Sequence, residues 1–132
     1  MAWPILIAKM RYWLPAALWM GIAPASAETA LEVQSWCTQV ASAPIKTNGY
    51  ISIEHTFEGG FCWGAFAAIQ GLNDNVSVNN KPIICAPDSS TRAQIIRIFM
   101  KYAEQHPERM HEDFVVVALT AISMAFRCHA SN

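Results

Sequence analysis

The stretch STRAQIIRIFMKYAEQHPERMHEDFVVVALTAISMAFRC, residues 90–128, decides the fold, because it has the pattern of two helices joined by a bend at His106-Pro107-Glu108. In the first arm, apolar side chains recur at the spacing of one helix face and charged side chains lie on the opposite face. The apolar positions are Ile95, Ile98, Phe99 and Tyr102, and the charged positions are Arg97, Lys101 and Glu104. We expect an amphipathic helix with one buried side.

The residues at both ends of this first helix mark its boundaries. Thr91 and Gln94 have the spacing of a capping box, in which each side chain satisfies a backbone N–H that the first helical turn leaves unpaired. Pro107 disfavours helical geometry at His106 and suits the opening turn of a new helix. The sequence therefore predicts a helix from Thr91 to about His106, followed by an antiparallel neighbour after a short turn.

The second arm, residues 114–126, is apolar almost all round, with Thr120 and Ser123 forming a thin polar stripe. Glu112 and Asp113 precede it, and negative charges stabilise the positive end of a helix dipole. We expect this helix to be enclosed by its neighbours. A membrane span is the alternative, but crossing a bilayer takes about 20 apolar residues and this run is shorter.

The first 27 residues have the pattern of a cleavable export signal. Lys9 and Arg11 precede the apolar run from Trp13 to Ile22, and Ala25-Ser26-Ala27 are the small residues that a signal peptidase recognises. Met10 is an alternative start, and an uncleaved anchor is an alternative to cleavage. We predict cleavage after Ala27, a periplasmic location and no membrane attachment afterwards.

Residues 28–132 would then form one domain of 105 residues. This part contains seven basic and ten acidic side chains, a formal charge of −3. Such a balance argues against nucleic acid as a partner.

All four cysteines, Cys37, Cys62, Cys85 and Cys128, follow the predicted signal, which indicates two disulfides in an oxidising compartment. Three pairings are open. An antiparallel hairpin returns Cys128 to the level of Cys85, which favours the pairs Cys85–Cys128 and Cys37–Cys62. A zinc site lacks the usual ligand spacing, and a catalytic thiol at Cys62 lacks a companion base.

The preceding chain predicts two more helices. The first runs from Thr29 to Ala43 and ends at Pro44; the second runs from Phe57 to Leu72, with Gly71 as a C-cap. Between them, residues 45–56 are expected to be extended, without an evident strand partner. Residues 73–87 form a polar loop. The predicted fold class is all-α, a small four-helix domain stapled by two disulfides and preceded by a signal peptide.

No pattern of catalytic residues is present in the sequence. His106 and His111 flank the bend and could form a metal pair, but a solvated turn histidine and a helix-start histidine explain them better. Neither a Ser-His-Asp set nor a carboxylate pair has sequence support. We expect a protein that is not an enzyme and that uses no metal or other cofactor.

Several spaced elements of this chain resemble the Tai-type (Rap/Tai) immunity proteins of type VI secretion systems. The elements are Cys85-Ala-Pro87, Ser90 to Ile96, Lys101-Tyr102, His106-Pro107-Glu108, Ala118-Leu119 and Ala125 to Cys128. The resemblance implies a helical, disulfide-bonded periplasmic protein, often a homodimer, that occludes a peptidoglycan amidase effector.

Partner-binding positions follow from exposure in the loop and at the bend, and no motif marks them. They are Asn73, Asp74, Asn75, Lys81, His106, Glu108 and Arg109. The alternatives from other classes are a small periplasmic acid-stress chaperone, which would expose apolar helix surface when its carboxylates protonate, and a family member without an effector.

Overall fold

A computed structural model of the chain describes residues 27–48, 50–72, 77–78 and 81–128. The four helices are α1 (Ala30–Ser42), α2 (Phe57–Leu72), α3 (Arg92–Gln105) and α4 (Phe114–Ala125). The short strands β1 (Ser77–Val78) and β2 (Lys81–Pro82) pair in antiparallel fashion, and a 3₁₀ turn (Pro107–Arg109) joins α3 to α4. The predicted all-α, four-helix fold is confirmed. Residues 1–26, almost all of the predicted signal, lie outside the described residues.

Helix α1 contacts the other three helices. It starts at a reciprocal cap: the Glu32 N–H donates to the Thr29 hydroxyl (3.4 Å) and the Thr29 N–H donates to the Glu32 carboxylate (2.9 Å). At its other end, the Arg97 guanidinium donates to the carbonyls of Ala41 (3.0 Å) and Ala43 (2.8 Å). This side chain satisfies carbonyls that a helix end leaves unpaired, a role that its place on the charged face of α3 did not predict.

The segment between α1 and α2 folds back on itself. Ile45 and Ile51 form an isolated antiparallel bridge, and the Lys46 N–H donates to the Tyr50 carbonyl (2.8 Å). The extended stretch thus has a strand partner within itself, which the sequence did not reveal. Helix α2 has the predicted bounds, but Gly71 lies within its last turn and not beyond it, so the predicted cap is wrong.

Helix α3 begins as predicted, because the Thr91 hydroxyl accepts a hydrogen bond from the Gln94 N–H (3.2 Å). Its buried face is wider than the predicted one: Ile95, Phe99 and Tyr102 are buried as predicted and Ile96 is buried as well, whereas Ile98 is only half-buried. The face is wider because α1, α2 and α4 all pack against α3.

Helix α4 is not enclosed, and this prediction is wrong. The Val116 side chain is 50% exposed and that of Met124 is 54% exposed. Neighbouring helices cover only one side, which buries Val117, Ala118 and Ile122. Apolar composition did not reveal which side would have a neighbour. No helix in the described part of the chain has the length and apolarity needed to span a membrane.

The core is centred on three phenylalanines from three helices. The rings of Phe66, Phe99 and Phe114 lie 5.4–5.5 Å apart, each in contact with the other two. Phe66 and Phe99 are fully buried. This cluster joins α2 to the α3–α4 hairpin.

Both predicted disulfides are confirmed. Cys37–Cys62 links α1 to α2 in the core, and Cys85–Cys128 links the segment before α3 to the chain after α4. The two bridges differ in exposure: Cys37 and Cys62 are fully buried, whereas Cys128 is exposed.

Candidate functional site

The bend between α3 and α4 is a compact, internally bonded turn. Pro107 occupies the first position of the 3₁₀ turn, where its missing N–H costs no hydrogen bond. The Arg109 N–H donates to the His106 carbonyl (3.0 Å), and the Glu112 N–H donates to the Arg109 carbonyl (3.0 Å). The turn thus has a fixed backbone shape before any partner binds.

Arg109, a predicted contact residue, is the internal brace of this turn. Its guanidinium donates to both carboxylate oxygens of Glu112 (2.8 and 2.6 Å) and to the Tyr102 hydroxyl (2.7 Å). The hydrogen bonds to Glu112 raise the pKa of Arg109, and the same bonds lower the pKa of Glu112. Because Arg109 is half-buried and committed to these groups, we expect it to shape the site more than it contacts a partner.

His106 and Glu108 form the outer part of the turn. The Glu108 carboxylate lies 3.1 Å from His106 Nδ1, and hydrogen bonds from its own backbone N–H and from His106 lower the pKa of Glu108. The His106 ring stacks at 4.2 Å on Tyr102. The Glu108 side chain is 65% exposed and therefore presents a negative charge to solvent.

A surface groove of ≈ 530 Å³ lies beside the turn. Thr29, Leu31, Gln34, Ala103, Glu104, Pro107, Met110 and His111 line it. The Leu31 N–H donates to the Met110 carbonyl (3.0 Å), which ties the start of α1 to the turn. The Leu31 side chain is 59% exposed at the groove wall. A groove with apolar walls and a few polar groups can accept a side chain of another protein.

The other predicted contact residues lie in the loop before α3. Asn73, Asp74 and Asn75 lie outside the described residues. The backbone of Lys81 pairs with Val78 across the two short strands. The structure therefore brings His106, Glu108 and Arg109 together in one turn, and contact of these and of the loop residues with a partner stays a prediction.

The sequence did not identify a second surface, formed by Trp36, Phe57 and Phe61. These residues belong to two helices; Trp36 and Phe61 are partly buried against the core, whereas Phe57 is exposed. The signal that could have found them is Phe57 at the first position of α2, where a helix end offers less cover than a helix middle.

The described residues show no cluster of three or more His, Cys, Asp or Glu side chains that could hold a metal ion. The two histidines at the bend, His106 and His111, therefore belong to no such cluster. The surfaces described above instead provide shape, apolar contact and charge, which are the means of protein recognition.

The chain was compared with known proteins. The family model described as Rap1a immunity proteins matches residues 36–128. The matched region starts at Trp36 in α1, ends at Cys128 and contains both disulfides. The searches of curated proteins and of solved structures gave no match.

Proposed function

Because this chain belongs to the Rap1a immunity protein family, we propose that it binds and occludes a peptidoglycan amidase delivered into the periplasm by a type VI secretion system. The observation that carries the proposal is the family match from residue 36 to residue 128. An immunity protein of this kind acts by binding its effector and does not itself catalyse a reaction.

Two disulfides in a chain of 132 residues support a location outside the cytoplasm, because reducing conditions inside the cell disfavour structural bridges. The predicted export signal of residues 1–27 agrees with this location. A peptidoglycan amidase also acts in the periplasm, so inhibitor and target would share a compartment.

The turn supports occlusion as the mechanism. It is held in one conformation by the Arg109–Glu112 pair, so a partner would not have to order it on binding. Glu108 and His106 would contact the effector directly, and the groove beside Leu31 would receive one of its side chains. The residues at 73–75 and Lys81 would contribute a second contact.

Titration calorimetry of the purified, oxidised protein against a panel of type VI peptidoglycan amidases tests this function. We expect a tight 1:1 complex with one member, together with loss of its hydrolysis of peptidoglycan. No heat of binding with any amidase, and no protection of cells that express an amidase in the periplasm, would contradict the proposal.

Two substitutions test the proposed contact surface. Glu108→Lys reverses an exposed charge and should weaken binding to that amidase about tenfold or more, since charge reversal at an interface adds repulsion to the lost attraction. Lys101→Glu is the matched control, because this exposed residue lies on α3 outside the turn. Equal effects of the two charge reversals would place the contact elsewhere.

A further inference from the structure

The aromatic cluster of Trp36, Phe57 and Phe61 is partly open to solvent: Trp36 and Phe61 pack against the core on one side, and Phe57 is exposed. Trp36 packs edge-to-face on Phe61 (4.8 Å between ring centroids) and on Phe57 (6.0 Å). The Phe57 ring is nevertheless 72% exposed. Burying a phenylalanine fully is worth about 1.5–3 kcal/mol, and the fold of this chain leaves most of that contribution unused at Phe57.

The backbone that carries the cluster is held in place by a disulfide and a helix cap. Trp36 and Phe61 directly precede Cys37 and Cys62, and these cysteines are bonded to each other in the core. The start of α2 is fixed as well, because the Gly59 N–H donates to the Thr56 hydroxyl (3.1 Å). Anchors held in this way lose little conformational entropy on binding.

The outward face of α2 next to the cluster is flat. Gly60, Gly64 and Ala68 are exposed and recur every four residues, so they lie on one side of the helix. A Cβ atom added at Gly60 or Gly64 would have no heavy atom of the described residues within 4 Å. Each glycine costs the helix about 1 kcal/mol relative to alanine, and internal packing does not explain either one.

The charged side chains beside the three rings, on α1 and at the start of α2, are acidic; further along α2, the Arg92 guanidinium lies over Trp63 (4.6 Å). Glu32 lies one helical turn before Trp36, and Glu58 follows Phe57 directly. A third carboxylate, that of Glu54, accepts a hydrogen bond from Gln39 on α1 (2.6 Å). All three glutamates are exposed, and neither α1 nor α2 contains a lysine or an arginine.

This rim argues for a basic partner and against a second copy of the chain. A two-fold dimer through the same patch would bring its carboxylates together, and like charges in an interface are repulsive. A helix with apolar side chains at i and i+4, flanked by lysine or arginine, fits this surface. Its apolar side chains would pack on the rings and the flat stripe, and its basic side chains would pair with the glutamates.

We propose that the face formed by Trp36, Phe57, Phe61 and the adjacent stripe Gly60, Gly64 and Ala68 docks a basic amphipathic helix of the effector. This inference rests on the proposed function and adds the chemistry of the effector surface: apolar anchors surrounded by positive charge. It predicts that salt weakens the complex, because exposed charge pairs are screened.

The first test measures affinity for the amidase that the wild-type protein binds. Phe57→Ser should weaken binding about tenfold or more, as expected for a buried aromatic anchor. Gly64→Leu should weaken it at least as much by filling the stripe, although leucine favours the helix and keeps the protein folded. Met124→Ser is the matched control, an exposed apolar side chain on α4 that should leave the affinity unchanged.

The second test needs no effector. The probe is a synthetic amphipathic helix of leucine and lysine, about 15 residues long so that it can form a helix on binding. We expect saturable binding that shifts the amide resonances of residues 57–68, and much weaker binding of the same peptide with glutamate in place of lysine. Gly64→Leu should abolish the binding of the lysine peptide.

The outcomes separate the two proposals. If the wild-type protein binds no amidase, the proposed function fails. The peptide test still decides whether the aromatic face binds a basic amphipathic helix. If an amidase binds Phe57→Ser and Gly64→Leu as tightly as it binds the wild type, the surface inference fails alone. Equal binding of the lysine and glutamate peptides would also overturn it, as would a dimer that Phe57→Ser converts to monomers.

Discussion

Gly59 and Gly60 are adjacent in α2 but have opposite surroundings. A Cβ atom at Gly59 would lie 3.1–3.2 Å from Ile53, the Glu54 carbonyl and Thr56, whereas one at Gly60 would have no atom of a more distant described residue within 4 Å. We expect Gly60→Ala to raise the free energy of unfolding by about 0.5–1 kcal/mol through helix propensity. Gly59→Ala should be less stable than Gly60→Ala, because the tight contacts offset the same gain. Urea unfolding of both variants checks the difference.

At the same scale, Arg109 is the side chain on which the turn depends. Arg109→Lys keeps the charge but cannot form the two parallel bonds to Glu112 and the third to Tyr102. We expect a lower melting temperature and faster hydrogen exchange at residues 106–112. Lys101→Arg, on the exposed side of α3, should change neither quantity. Unchanged hydrogen exchange in Arg109→Lys would show that the turn keeps its conformation without these hydrogen bonds.

The pH dependence of stability follows from the lowered pKa of Glu112, caused by its hydrogen bonds to Arg109. A carboxylate whose folded pKa lies below the ordinary value of 4.5 stabilises the fold above that value, and the contribution is lost as pH falls through the folded pKa. Glu112→Gln should therefore make unfolding free energy less dependent on pH between about 5 and 3. Chemical unfolding of both proteins across that pH range is the measurement. If the unfolding free energy of Glu112→Gln changes with pH as steeply as that of the wild type, the prediction is contradicted.

At the scale of the element, α4 depends on its N-cap residue. The Asp113 carboxylate accepts a hydrogen bond from the Val115 N–H (2.8 Å) and caps the helix. Asp113→Ala should cost about 1 kcal/mol, whereas Asp113→Asn keeps an acceptor and should cost much less. Thermal and urea unfolding would show this order. Equal losses in the two variants would instead point to the charge of Asp113.

Local rules predicted the helices, because capping residues and proline act within a few positions of the chain. Thr91, Pro107 and Asp113 mark real helix boundaries, and the antiparallel hairpin was enough to favour the correct cysteine pairs. Tertiary neighbours decided the rest. Arg97 donates hydrogen bonds to carbonyls of a helix end more than 50 residues away. Val116 is exposed because no helix of the described part of the chain covers it. Local spacing encodes neither fact. The aromatic cluster escaped prediction for the same reason.

At the scale of the whole molecule, the two disulfides should react differently. Cys37 and Cys62 are fully buried, whereas Cys128 is exposed and Cys85 is half-buried. Under mild reduction we expect alkylation at Cys85 and Cys128 before any at Cys37 and Cys62, as read by peptide mass mapping. Alkylation of all four cysteines at the same rate would indicate global unfolding.

The two bridges should contribute almost equally to stability. Closing loops with separations of 25 and 43 residues gives about 3.5 and about 4 kcal/mol from chain entropy. We expect either double Cys→Ala variant to lose several kcal/mol of unfolding free energy, a large fraction of the stability of a small domain. Urea unfolding of both variants under non-reducing conditions tests this.

The order of the cysteines along the chain has a consequence for biogenesis. The first cysteine pairs with the second and the third with the fourth, so no bridge encloses or crosses the other. A chain that is threaded through a membrane from its N-terminus would present Cys62 to Cys37 before the later pair emerges. An oxidant that joins thiols as they arrive would therefore make the native bonds at the first attempt, and maturation would need no isomerase to reshuffle wrong ones.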